Sequence, residues 1–144
     1  MKLNQLSLFL ENKPAHLRMP CQVLADAGIN ILTLSLADTK QFGILRLLVA
    51  DWQKAKEVLE KAGCVVNITP VVAIEIDDKP GGLANLLALI EQAGIDIQYM
   101  YAFTFGRDGR AVMIFRFDDP DTAISELQAR GVNPIQGIDL YERV

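Results

Sequence analysis

The stretch Asp78-Lys79-Pro80-Gly81-Gly82-Leu83 joins an apolar, strand-like run at residues 71–76 to a run with helical periodicity. A similar junction, Asn12-Lys13-Pro14-Ala15-His16-Leu17, occurs earlier, and its proline precedes Pro80 by 66 positions. At the same spacing, Gly28-Ile29-Asn30-Ile31 corresponds to Gly94-Ile95-Asp96-Ile97. Self-similarity at a fixed spacing indicates an internal repeat. We therefore predict two modules, residues 1–69 and 70–144.

Each copy has the pattern strand, helix, strand, strand, helix, strand. In the first copy, the predicted elements are strands at 6–10, 31–38 and 44–50, a helix at 14–27, and a second helix capped by Asp51. In the second copy, a helix follows Gly81. Strands at 98–105 and 110–117 then form a hairpin that turns at Gly106-Arg107-Asp108-Gly109. The last two elements are a helix with Asp119 as N-cap and Pro120 at its first position, and a strand at Ile138–Tyr141.

This order is typical of an α+β fold, the split βαβ sandwich, in which two helices cover one face of an antiparallel sheet. Two such sheets could join edge to edge and so protect their edge strands. Two features stay open. Pro20 would kink or delay the first helix. Residues 64–77 could form two short strands or one long strand that serves both modules.

Composition excludes several classes of function. The chain has 144 residues, of which 51% are hydrophobic, and a net charge of −4 without a basic stripe, which argues against nucleic-acid binding. No apolar run approaches the length of a membrane span, and no signal peptide is recognisable. The two cysteines, Cys21 and Cys64, are far apart in sequence and do not form a CxxC pair. We expect them to be small core residues in a protein of a reducing compartment. We expect a cytoplasmic protein that does not bind membranes.

The two junctions contain groups suited to a zwitterion. Gly81 and Gly82 leave the backbone open to a ligand, and the first N–H groups of a helix attract an anion such as a carboxylate. The amides of Asn12 and Asn30 can donate to a carboxylate or accept from an ammonium group. The corresponding residues of the second copy, Asp78 and Asp96, accept only when ionised and so favour an ammonium group.

These segments resemble conserved features of ACT domains. Glu11 to Leu17 and Asp77 to Leu83 resemble the D/E-x-P-G-x-L loop of that family, and both Gly-Ile-Asn/Asp-Ile segments resemble its G-I/V-N-I segment. The resemblance covers essentially the whole chain as two tandem ferredoxin-like modules. It implies a regulatory module that binds an amino acid where two ACT units meet, with the loop of one unit facing the second-strand start of its neighbour.

The ligand-binding residues that the resemblance implies lie in two loops and two strand starts. In a serine-regulated member of the family, asparagines at the positions of Asn12 and Asn30 contact the ligand. The full predicted set is Asn12, Lys13, Pro14, Ala15, His16, Leu17, Asn30, Ile31, Asp78, Lys79, Pro80, Gly81, Gly82, Leu83, Asp96 and Ile97.

The two predicted sites are not chemically equivalent. Ala15 replaces the usual glycine of the first loop, and Asp78 and Asp96 replace the asparagines of the second copy. We therefore expect unequal occupancy, with the first loop as the better candidate. If Asp96 faced the first loop, a mixed site would hold the carboxylate on the amides of Lys13 to His16 and the ammonium on Asp96.

Other functions were weighed against this one. His16 is the single histidine, and the chain has too few histidines and cysteines for a typical metal site. The sequence contains no nucleophile triad, phosphate loop or dinucleotide motif. We predict a non-enzymatic protein without a cofactor. Four aromatic residues alternate along one strand of the second copy, namely Tyr99, Tyr101, Phe103 and Phe105. This pattern indicates a packed sheet face, and the rival interpretation is a platform on which RNA bases stack.

We predict a sensor that binds an amino acid and forms a homodimer. The alternatives are a regulatory subunit of an amino-acid biosynthetic enzyme, which would have a partner enzyme, and a purely structural assembly module.

Overall fold

The chain divides into two units, which a computed structural model describes over residues 1–11, 13–38, 41–103 and 107–142. One unit comprises Asn4–Thr69 and is called the first module below. The other, the second module, comprises Met1–Leu3 together with Pro70–Val144.

The first module contains an antiparallel sheet and two helices. Its elements are β1 (Lys2–Glu11) from Asn4 onward, α1 (Arg18–Asp26), β2 (Thr33–Asp38), β3 (Phe42–Leu48), α2 (Trp52–Lys61) and the first residues of β4 (Val66–Asp77). β3 lies between β1 and β2 and is antiparallel to both. In this register Gly43 is opposite Leu10 on one side and Asp38 on the other.

The core of the first module follows from strand alternation. Successive side chains of a strand point to opposite faces, so every second residue of β1 and β3 meets the helices. The buried residues that pack together are Leu6, Leu8 and Leu10 of β1, Leu45 and Leu47 of β3, Leu24 of α1, and Ala55 and Leu59 of α2.

The second module repeats this architecture. It contains the rest of β4, then α3 (Gly82–Gln92), β5 (Ile97–Ala102), β6 (Arg110–Phe117), α4 (Pro120–Ala129) and α5 (Gly137–Glu142). β6 is antiparallel to both β4 and β5. The rings of Phe115 and Phe117 stack with their centroids 5.4 Å apart in a core shared with α3 and α4. The predicted α+β class with antiparallel sheets is thus confirmed.

Several local predictions are also confirmed. The Asp51 carboxylate accepts a hydrogen bond from the Lys54 N–H at 3.1 Å, and Asp119 accepts one from the Thr122 N–H at 3.2 Å. Both carboxylates therefore cap their helices. Gly28 follows α1 with a φ of 72°, the left-handed conformation common after a helix. No helix in the described part of the chain is long and apolar enough to cross a membrane.

Pro20 delays the first helix and does not kink it. α1 begins at Arg18, which places Pro20 within its first turn. The N–H groups of a first turn have no partner inside the helix, so the missing N–H of proline removes no helical bond. The predicted start at Pro14 is therefore four residues too early.

Residues 66–77 form one strand, β4, which answers the question left open at the joint between the copies. The run is rich in β-branched residues, which favour extended backbone. Its first four residues belong to the first module and the rest to the second. Within the first module, the hydroxyls of Ser7 and Thr69 are 3.2 Å apart.

The predicted last strand at Ile138–Tyr141 is wrong, because this segment lies in helix α5. Pro134 has no N–H to donate, and the Ile135 N–H bonds to the Ala73 carbonyl at 2.8 Å. The chain then turns, and the Leu140 N–H bonds to the Gln136 carbonyl at 3.0 Å. Helical geometry buries Leu140 almost completely, at 1% exposure.

The predicted hairpin of the second copy is present as β5 and β6, although β5 ends earlier than predicted, at Ala102. Gly106 of its turn and Phe105 of the aromatic series lie outside the described residues. Tyr99 and Tyr101 are half-buried on β5.

We predict that Leu140→Ala lowers the free energy of unfolding by about 2–5 kcal/mol, because it removes a fully buried side chain and leaves a cavity. Urea denaturation followed by circular dichroism measures the change. Asp139→Ala is the matched control, since Asp139 is exposed and its loss should change stability by less than about 0.5 kcal/mol. Equal stability of the two variants would contradict the packing of α5.

Candidate functional site

The loop between β1 and α1 and the loop between β4 and α3 share one unusual backbone feature. Ala15 has a φ of 70°, and Gly81, its counterpart in the second copy, has a φ of 89°. Glycine adopts this left-handed conformation without strain, whereas an L-residue with a β-carbon is strained by about 1–2 kcal/mol. Ala15 therefore keeps the conformation of the expected glycine at an energetic cost.

Two backbone hydrogen bonds define the same turn in both loops. In the first, the His16 N–H donates to the Lys13 carbonyl at 3.3 Å, and the Met19 N–H donates to the Ala15 carbonyl at 3.1 Å. In the second loop, the Gly82 N–H donates to the Lys79 carbonyl at 3.0 Å, and the Asn85 N–H donates to the Gly81 carbonyl at 2.9 Å.

The loops differ at the next position, which is His16 in one and Gly82 in the other. Gly82 is buried, and a β-carbon built there would collide with the carbonyl oxygen of Asp77. The second loop can therefore pack closely against the end of β4. The equivalent residue of the first loop, His16, has a side chain. When the two copies are aligned by the repeat, α1 starts two residues later than α3.

Charged side chains flank both loops. Lys13 Nζ is 2.7 Å from Glu11 Oε2, and this hydrogen bond is the main reason why the pKa of Glu11 is lowered and that of Lys13 is raised. His16 also lowers the pKa of Glu11 through its charge. In the second copy, Asp77 pairs closely with Arg110 and more loosely with Lys79, at 3.8 Å.

An open cavity of about 170 Å³ adjoins the first loop. Its walls come from the end of β1, the loop, the end of β2 and the start of β3. The lining residues are Leu10, Glu11, Lys13, His16, Leu17, Leu36, Asp38 and Gly43, all within the first module. The cavity combines leucine side chains with groups of both charges, which is the composition expected of a site for a small amphipathic molecule.

The structure brings only part of the predicted first-copy set to this cavity. Lys13, His16 and Leu17 line it, while Pro14 and Ala15 form the turn beside them. Asn12 lies outside the described residues. The other two predicted residues lie elsewhere: Asn30 is exposed, and Ile31 packs against the core of the first module. Their contact with a ligand stays a prediction.

The predicted residues of the second copy are spread over its loop and the start of β5. The Asp78 N–H donates to the Gly109 carbonyl at 2.8 Å, while Lys79 and Pro80 are exposed. Gly81 and Gly82 form the turn. Leu83 and Ile97 pack against the second core, and Asp96 is exposed, with its carbonyl accepting from the Asp118 N–H at 3.2 Å.

Comparison with known proteins identifies the family. A family profile described as an ACT domain pair matches residues 1–142. The chain belongs to the ACT domain pair family. The resemblance of the chain to two tandem ACT domains is thus confirmed, and both modules are ACT modules.

Solved structures agree with this assignment. The crystal structure of protein BT0572 from Bacteroides thetaiotaomicron is 38% identical, with 98% of this chain and 96% of that chain covered and a TM-score of 0.91. The regulatory subunits of aspartate kinase from Thermus thermophilus and Thermus flavus are 16% and 17% identical, with TM-scores of 0.63 and 0.55. Each match covers 88% of this chain, and 91% and 92% of the respective subunit. At these identities the likeness to the kinase subunits shows the fold alone. No curated protein matches the chain significantly.

The predicted site set missed five residues that line the cavity of the first ACT module. Leu10 and Glu11 end β1, and Leu36, Asp38 and Gly43 belong to β2 and β3. The signal that could have found them is the strand order of the predicted fold. When strands 1 and 3 are adjacent and antiparallel, the end of strand 1 lies beside the start of strand 3. The hairpin between strands 2 and 3 then flanks the loop that follows strand 1.

The described residues contain no group of three or more histidine, cysteine, aspartate or glutamate side chains that could hold a metal ion.

We predict that Ala15→Gly raises the free energy of unfolding by about 0.5–1 kcal/mol, because relief of left-handed strain exceeds the added flexibility of the unfolded chain. Chemical denaturation tests this. Ala88→Gly is the control with the opposite sign, since Ala88 is exposed inside right-handed α3 and glycine there costs about 1 kcal/mol. Destabilisation by both changes would refute the strain at Ala15.

We predict that Gly82→Ala lowers the free energy of unfolding by about 1–3 kcal/mol, because the new methyl group must displace the backbone at Asp77. His16→Ala, at the equivalent place in the first loop, should change it much less. Thermal or urea unfolding of both variants provides the measurement. If Gly82→Ala is as stable as the unchanged protein, the second loop does not pack as closely as described.

Proposed function

We propose that this ACT domain pair is a non-catalytic regulatory protein whose first module binds a free amino acid. The observation that carries the proposal is the cavity beside the first loop, where Lys13 and His16 lie with Leu17 and Asp38 around a volume of about 170 Å³. This volume is below the range typical of drug-sized ligands and suits a molecule of amino-acid size.

The chemistry of the loop supports binding of the α-carboxylate. Lysine and imidazole N–H groups and the backbone N–H groups of a first helical turn all donate hydrogen bonds to an anion. Hydrogen bonds to charged groups contribute about 1.5–3 kcal/mol each, whereas ordering the ligand and the loop costs several kcal/mol. We therefore expect micromolar to millimolar affinity, which suits a sensor of free amino acids.

The first loop is the better candidate of the two. Beside the second loop, Asp77 and Glu75 already bind the Arg110 guanidinium, with Arg110 Nε 3.1 Å from Glu75 Oε1. Asp78 adds a further carboxylate there, and carboxylates repel the carboxylate of a ligand. We therefore expect a weaker or absent amino-acid site in the second module, whose loop carries the charged Asp78 at the position of the neutral Asn12.

The proposal includes a homodimer. Within the described part of the first module, β2 pairs with β3 along one edge, and Leu34 and Leu36 of β2 are 47% and 48% exposed. A strand edge with exposed leucines is suited to pairing with a second chain. A ligand that binds beside this edge would regulate association only by binding one assembly state more tightly than the other.

A thermal-shift screen against the twenty amino acids at millimolar concentration tests the proposal. At least one amino acid should raise the melting temperature, because a ligand that binds only the folded state stabilises it. Light scattering with and without that amino acid would then report the assembly state. If no amino acid shifts the melting temperature, the sensor function is wrong, and the structural assembly role becomes the better hypothesis.

Matched variants locate the site. Lys13→Gln should weaken binding about tenfold in calorimetry, whereas Lys79→Gln at the equivalent position of the second loop should leave it unchanged. Asp96→Ala tests whether the predicted mixed site exists, since loss of binding would require Asp96 at the ligand. If Lys79→Gln weakens binding and Lys13→Gln does not, the second loop is the site. Stable co-purification of an enzyme from cell extract would favour a role as a regulatory subunit.

A further inference from the structure

The floor of the first-module cavity is a glycine between two leucines. Gly43 is directly opposite Leu10 of β1 and Asp38 of β2, so these residues share one face of the sheet, which Leu36 also shares. A β-carbon built on Gly43 would lie 3.4 Å from Leu36 Cδ1 and 4.0 Å from Leu10 Cβ. The missing side chain of Gly43 therefore leaves a recess with leucine walls.

The described residues of the second module differ at this place. At the equivalent register, Ile76 of β4 is opposite Ala111 of β6, so a methyl group takes the place left open by Gly43. The repeat places Ala102 at the position of Leu36, which shortens one wall. Because both modules have the same fold, the difference between them is a matter of side chains at a few positions.

A carboxylate lies at the edge of the recess. Asp38 ends β2 and is exposed, and its carboxylate has no hydrogen bond or ion pair with any residue in the described ranges. The Glu11 carboxylate on the same cavity, in contrast, is paired with Lys13. An ionised carboxylate can only accept hydrogen bonds, so Asp38 is suited to the ammonium group of a ligand.

We propose that the first-module cavity selects aliphatic amino acids, with the side chain in the recess over Gly43 and the ammonium on Asp38. This rests on the proposed function and adds the class of ligand. The carboxylate is then left to Lys13 and His16 of the loop. An apolar cavity of about 150 Å³ holds one benzene molecule, so this cavity of about 170 Å³ suits a ligand of the size of valine, leucine or methionine.

The leucine walls also explain which amino acids are rejected. A charged side chain between the leucine walls of the recess would lose much of its hydration, which makes lysine and aspartate poor ligands. Each added methylene should strengthen binding about fourfold, because it removes further apolar surface from water. L-Leucine should therefore bind at least tenfold more tightly than L-alanine.

Calorimetry on the full chain tests the proposal with four amino acids and one analogue. The amino acids are L-leucine, L-alanine, L-lysine and L-aspartate, and the analogue is 4-methyl-2-oxopentanoate, which has the leucine skeleton and a carboxylate but no ammonium. Asp38→Asn should weaken the binding of L-leucine about tenfold or more, and it should not weaken the binding of the oxo acid, which has no ammonium group to lose a partner. Asp139→Asn is the control with the same loss of charge on an exposed aspartate of the second module.

Gly43→Ala gives an independent test of the recess. The added methyl group meets Leu36 at ordinary contact distance, and alanine at the equivalent position of the second module shows that the fold accepts it. The variant should therefore keep its unfolding midpoint but lose about tenfold in affinity for L-leucine, with a smaller loss for L-alanine.

Three results would overturn the proposal. The first is tighter binding of L-lysine or L-aspartate than of L-leucine. The second is binding of L-leucine by both variants as tightly as by the unchanged protein. Either of these two results is compatible with an amino-acid sensor but means that the proposed site or the proposed class of ligand is wrong. The third, no heat or thermal shift with any of the twenty amino acids, rejects the sensor itself.

Discussion

Each module depends on a tight turn that carries the chain from its first strand into its first helix. The turn needs one residue in the left-handed conformation, supplied by Ala15 in one module and Gly81 in the other. The same two backbone hydrogen bonds close both turns. They lead the chain from the strand towards the helix in both modules, although α1 begins two residues later than α3 relative to the repeat.

The residue after the turn determines how the two modules diverge. Gly82 allows the second loop to lie against the Asp77 carbonyl, in a region where Arg110 and its carboxylate partners take up the surface. His16 prevents the same close packing in the first loop, where the neighbouring surface is a cavity with leucine walls. One repeated fold thus carries two chemically different loops, and among the described residues the first loop combines hydrogen-bond donors with an apolar recess.

The end of the chain shows the limit of reasoning from periodicity. Residues 138–141 alternate between apolar and polar side chains as a strand would, yet α5 forms there and buries Leu140. A helical turn places every third or fourth side chain on one face, so a short segment with two apolar residues is compatible with either structure. The choice was made by packing within the second module, where Gly137 lies against Leu3.

The sequence by itself determined the repeat, the α+β class, the helix caps at Asp51 and Asp119, and the two loops, because turns, caps and hydrophobic periods are properties of neighbouring residues. Only the tertiary structure decided that β4 is one continuous strand and that Asp38 and Gly43 lie beside the first loop. Those features depend on which residues become opposite each other when distant strands pair, and a register of that kind is set by packing across the whole sheet.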